Sequence, residues 1–153
     1  MFISFLYISL QNKFVVKMEF NEYGILNPGI HKMTWEEFSK TFNKSLRREI
    51  LLIGLEKIYH ILRNIGATHI YIDGSFVTNK LDPGDWDACF DAPEYVLYEI
   101  RELPNRKKIK ELYGGDLFYV GSEADEYGTK YLDFFQQIRG SSVLKKGIVE
   151  LID

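Results

Sequence analysis

A run of strand-forming residues from Thr68 to Asp73 ends in Gly74-Ser75, and after nine intervening residues comes Asp85-Trp86-Asp87. Strand side chains alternate between faces, so on a strand over Asp85–Phe90 the two carboxylates project to one side and Trp86, Ala88 and Phe90 to the other. The apolar face must be packed and the acidic face left open. That constrains this strand to a sheet position with one face packed and the other open. A carboxylate pair beside a Gly-Ser turn also suits the holding of divalent metal against the phosphates of a nucleotide.

The 153 residues fit one domain, and 46% hydrophobic with 15% aromatic content supplies an ample core. Nineteen basic residues against 22 acidic ones leave a net charge of −3. This argues against duplex nucleic acid as a partner, because gripping its backbone takes clustered Lys and Arg. Cys89 is the single cysteine, so an intrachain disulfide and a cysteine-based zinc site are both excluded, and a cytoplasmic location is expected.

Residues 1–17 begin with an apolar stretch, Met1 to Leu10, that lacks a basic lead and a small-residue cleavage site and is too short to span a membrane. It is read as an N-terminal extension, either a strand, a disordered segment or a product of a start assigned upstream of Met18. Residues 18–153 are read as one domain.

Thr34-Trp-Glu-Glu37 fits a capping box opening a short helix. Ser45 is a second candidate N-cap, and Leu46, Ile50, Ile53, Ile58, Ile61, Leu62 and Ile65 recur at helical spacing up to Gly66. Pro93 to Pro104 and Arg106–Tyr113 are two further helical pieces, the second stopped by Gly114-Gly115. Strands are expected over Thr68–Asp73, Asp85–Phe90, Asp116–Val120, Lys130–Gln136 and Gly147–Ile152. The fold class is α/β (α+β).

Transfer of a nucleotidyl group needs an acceptor hydroxyl in line with the α-phosphorus, and two metal ions roughly 4 Å apart to stabilise the attacking and leaving oxygens. Such ions take hard oxygen ligands, about three carboxylates in all. Asp85 and Asp87 supply two. Asp133, flanked by Leu132 and Phe134 on an expected strand, is chosen as the third, since an acid among large apolar residues must face a polar pocket. An ion pair with Arg139 or Lys130 is the alternative for Asp133. Gly74 permits close approach to a phosphate, Ser75 adds a hydroxyl donor, and Lys80 is within chain reach of the outer phosphates. His31, His60 and His69 are scattered singly, and Cys89 between Ala88 and Phe90 reads as a small buried hydrophobe.

These residues resemble the signature of the DNA polymerase beta superfamily of nucleotidyltransferases, particularly its minimal members. Phe20-Asn-Glu-Tyr-Gly-Ile-Leu-Asn-Pro-Gly-Ile-His31, Thr34-Trp-Glu-Glu-Phe38, Tyr71-Ile-Asp-Gly-Ser-Phe-Val-Thr-Asn-Lys80, Leu132-Asp-Phe-Phe-Gln136 and Lys146-Gly-Ile-Val-Glu-Leu151 are similar to a bacterial branch of uncharacterised proteins placed there. The resemblance implies a mixed sheet with helices mainly on one face. It implies Mg2+, two ions with Mn2+ as a substitute, held by Asp85 and Asp87 with Asp133 matched to the third carboxylate. It implies a nucleoside triphosphate as substrate, and either a hydroxyl acceptor on a protein or small molecule, or an antitoxin role beside a helical toxin-like protein. Phe76-Val77-Thr78-Asn79 departs from the superfamily's usual small-residue and arginine stretch.

Overall fold

The computed structural model describes residues 18–153 apart from 102 and 142, so the reading of segment 1–17 lies outside the described residues. Five strands form one mixed sheet: β1 (Gly29–Thr34), β2 (His69–Asp73), β3 (Trp86–Asp91), β4 (Gly115–Tyr119) and β5 (Gly147–Ile152), in the spatial order β1-β5-β2-β3-β4. β5 runs parallel to β1 and antiparallel to β2, β3 is antiparallel to β2, and β4 is parallel to β3. Among the described residues five α-helices accompany them: α1 (Trp35–Phe42), α2 (Leu46–Ile65), α3 (Glu94–Ile100), α4 (Arg106–Tyr113) and α5 (Tyr131–Phe135).

Local chemistry explains where the helices begin and end. The Thr34 hydroxyl accepts from the Glu37 N–H while the Glu37 carboxylate accepts from the Thr34 N–H, so two otherwise unpaired donors at the start of α1 are satisfied. Ser45 caps α2 by accepting from the Arg48 N–H, and Gly66, at φ 99°, terminates it in the left-handed conformation that glycine tolerates best. α1 and α2 then lay Phe38, Phe42, Leu51, Leu55, Ile58 and Leu62 on one face of the sheet, against Ile70, Ile72, Trp86, Ala88, Phe90, Val149 and Leu151. Each such fully buried side chain contributes about 1.5–3 kcal/mol, and this layer is the main core.

Among the described residues the opposite face is covered only in part. Tyr71, Cys89 and Ile148 meet Phe135 of α5 there, with Phe118, Tyr131 and Leu132 packed around them. Helices therefore lie mainly on one face, as expected.

Two expectations are corrected. The segment Lys130–Gln136 is not a strand, because Tyr131–Phe135 is helical. A helical turn brings Tyr131 and Phe135 onto Phe118 together, with ring centroids 4.0 and 6.2 Å from it. On α2, Leu46, Ile50 and Ile53 are exposed, and it is Leu51, Leu52, Leu55, Ile58, Tyr59 and Leu62 that pack inward. The helix carries two apolar stripes, so its spacing alone did not indicate which one is buried.

Candidate functional site

Strand register builds a row of carboxylates on the thinly covered face. Asp73, the last residue of β2, pairs with Asp87 of β3, and Asp87 pairs with Asp116 of β4. Registered residues on adjacent strands project to the same side, which sets the three acids in line across the sheet. Asp85 sits just before β3, two residues from Asp87 and so on the same side.

Cations meet this row at both ends. Lys146 Nζ lies 2.8 Å from Asp73 Oδ1. Arg106 Nε donates to Asp116 Oδ1 at 2.7 Å. Lys110 Nζ, four residues further along α4, donates to Asp116 Oδ2 at 2.8 Å and to Asp85 Oδ2 at 2.7 Å. Asp87, in the middle, has no such partner among the described residues.

The titration of the row follows from that asymmetry. Burial, and then the negative charges of Asp85, Asp73 and Asp116, push Asp87 up to about 6, against a weaker pull from Lys110. Asp73 is raised chiefly by burial, which Lys146 offsets only in part. Burial also pushes Asp116 upward, but the hydrogen bonds and charges of Arg106 and Lys110 outweigh it and hold this carboxyl below its ordinary value.

Gly74 opens a short 3₁₀ turn, Gly74–Val77, directly after Asp73. Its φ of 77° favours glycine, and a Cβ there would fall 2.3 Å from Asp87 Oδ2. The backbone thus approaches the central carboxylate as closely as a glycine permits. Ser75 is half-buried, and its carbonyl accepts from the Thr78 hydroxyl at 2.7 Å.

The loop beyond is fixed by Arg48, a fully buried guanidinium on α2 that donates to the carbonyls of Phe76 (2.6 Å), Thr78 (2.9 Å) and Lys80 (3.1 Å). Lys80 is exposed, and its carbonyl serves this anchor.

Beside Asp73 and Lys146 opens a cleft of about 700 Å³, lined also by Thr129, Gln137, Arg139 and Ser141 and by the apolar faces of Tyr127, Phe134 and Ile138. Of the acid row only Asp73 lines it; Gly74, Ser75, Lys80, Asp85, Asp87, Asp116 and Asp133 do not.

The structure therefore brings together Gly74, Ser75, Asp85 and Asp87 and leaves Asp133 apart. Asp133 is exposed in the first turn of α5, where a negative charge suits the helix dipole, so the burial argument for it as third acid fails. Asp116 stands in register beside Asp87 instead. The sequence held a signal for it: an acid at the start of an expected strand, with the same placement as Asp87 on its own. Lys110 and Arg106 were signalled by their spacing of four on one helix face, and Arg48 by nothing local.

As donors for a divalent ion, Asp85, Asp87 and Asp116 have the right chemistry, hard carboxylate oxygens with an uncompensated negative charge at their centre. In the arrangement observed, no three His, Cys, Asp or Glu side chains converge as a metal shell among the described residues. Lys110 stands between two of the acids. Among the described residues no helix is long and apolar enough to cross a membrane.

No curated protein and no solved structure matches the chain. One family model does, over residues 18–152, which is the whole sheet together with its helices: the chain belongs to DUF6932, a family of unknown function.

Proposed function

We propose that the acid row and the Gly74-Ser75 turn form a Mg2+-dependent nucleotidyltransferase site, moving a nucleoside monophosphate from a triphosphate to a hydroxyl on a protein or small molecule. One observation carries this reading: Asp87, flanked by Asp85 and Asp116, lies against the Cα of Gly74 at the mouth of a turn that begins where β2 ends. Asp85, Asp87 and Asp116 would hold the cation. Bound there, it would lower the charge of the phosphates and stabilise the departing pyrophosphate.

The chain's own groups do the positioning. The Gly74-Ser75 turn offers backbone N–H donors and the Ser75 hydroxyl to phosphate oxygens. The cleft has the size of a small-ligand pocket, with Tyr127 and Phe134 for a flat ring and Arg139 and Lys146 for negative charge. Arg48 keeps the loop after the turn in one conformation. A buried, free Cys89 fits a reducing compartment, and we place the protein in the cytoplasm.

A second reading, an antitoxin-like subunit that uses the same fold to bind a helical partner, draws support from Leu46, Ile50 and Ile53, which leave an apolar stripe on the outer side of α2. Calorimetry separates the two. Wild type titrated with each of the four nucleoside triphosphates and Mg2+ should give heat with at least one, and Asp87→Ala should give none. Silence from wild type with all four removes the enzymatic reading, and incubation of active protein with labelled nucleotide and lysate identifies the acceptor.

A further inference from the structure

We propose that Lys110 is a tethered competitor for the divalent cation, an ammonium that bridges Asp85 and Asp116 and must swing away before the ion enters. The inference rests on the cation-site reading above and adds a residue and a mechanism of control to it.

The geometry divides the Asp116 carboxylate between two cations. Oδ1 is held by Arg106 and Oδ2 by Lys110, and the same ammonium reaches Asp85 Oδ2. When Lys110 leaves, Asp116 keeps its Arg106 contact, so this buried acid is not stranded without a partner. What is freed is one oxygen on Asp116 and one on Asp85, to either side of Asp87, which no cation holds. Those are the hard-oxygen donors a divalent ion takes.

Charge and flexibility both suit an exchangeable latch. Asp73, Asp85, Asp87 and Asp116 face Lys110, Arg106 and Lys146, so four negative charges meet three positive ones and the surplus sits on the central acid. The Lys110 side chain is 49% exposed and reaches the acids on a four-carbon stem. A half-exposed ion pair of this kind is weak enough to open, while the rigid, forked Arg106 is the better permanent partner. Lysine, a compact point charge, is also the side chain that most resembles an ion in such a place.

The test is Mn2+ binding to the full chain, read from the electron paramagnetic resonance signal of the free ion at low salt and about pH 7.5, with thermal melts to confirm folding. Lys110→Met and Lys110→Gln should each bind Mn2+ about tenfold more tightly than wild type or better, because the competitor is gone and the donors remain. Adding Asp116→Asn to Lys110→Met should abolish the gain. Equal affinity in wild type and both single variants overturns the latch and leaves the cation site standing. Absence of Mn2+ binding in all of them overturns the latch and the cation-site reading together. Tighter binding in the Lys110 variants without nucleotide-dependent labelling of any acceptor supports the latch and counts against nucleotidyl transfer alone.

Discussion

Asp87 has three acids for neighbours and, among the described residues, no cation in contact with it. Its folded-state value of about 6 lies above the ordinary carboxyl range, so between roughly pH 4 and 6 the folded chain binds more protons here than the unfolded one. The sign follows: the group favours folding while protonated, that benefit is lost as pH rises through about 6, and above it the charge opposes folding by at most about 3 kcal/mol. Asp87→Asn removes the charge and keeps the shape. It should stabilise the protein by up to about 3 kcal/mol at about pH 7.5 and by roughly a third of that at about pH 4.5, in urea melts at the two values. Nucleotidyl transfer should fall on the order of a thousandfold or more in the same variant. A variant that is no more stable than wild type at the higher pH would mean that Asp87 is compensated in solution. Part of this was legible in the sequence. The spacing of Asp85 and Asp87 shows that they share a face, but the acid that stands beside them there, Asp116, is placed by register between strands distant in the chain, to which the apolar neighbours of Asp133 give no clue. Local hydrophobicity does not encode register.

At the level of elements, the site depends on how α4 is carried. This helix bears Arg106 and Lys110, and it crosses α2 where Gly54 meets the backbone of Tyr113. A Cβ on Gly54 would lie 1.9 Å from the Tyr113 carbonyl oxygen, a backbone atom that cannot rotate aside. Gly54→Ala should therefore push the helices apart, cost about 3 kcal/mol and lower Tm on the order of 10 °C in calorimetry. A melting point within a degree or two of wild type would show that the crossing tolerates a wider gap. Most element identities could be read locally because caps and glycine stops are local: the Thr34–Glu37 box, Ser45, Gly66 and Gly114 all act as expected. α5 could not, since Tyr131–Phe135 is rich in residues that strands favour, and its helical turn is set by the packing of Tyr131 and Phe135 on Phe118 of β4. β1 is not among the expected strands, because its partner β5 lies at the far end of the chain.

Across the whole molecule, the sheet separates two layers of unequal thickness. α1 and α2 seal one face with a broad core, while the other holds Tyr71, Cys89 and Ile148 under the single short turn of α5. Local opening requires the fewest contacts to break on the thin side, which is also the side of the acid row and the cleft. Cys89 reports on that layer, because it is fully buried there and burial raises its thiol well above the ordinary value, so it reacts only when the layer over it opens. Phe135→Ala deletes the ring that covers it and should speed labelling by a thiol reagent in the native protein about a hundredfold. Phe38→Ala, on the thick side, should lower global stability by about 3–5 kcal/mol and alter the labelling rate far less. If both variants accelerate labelling in proportion to their loss of global stability, the two faces open as one unit. If they diverge, the face that would receive nucleotide moves independently of the core that holds the fold, and the acid row can rearrange around a ligand while the strands beneath it stay in register.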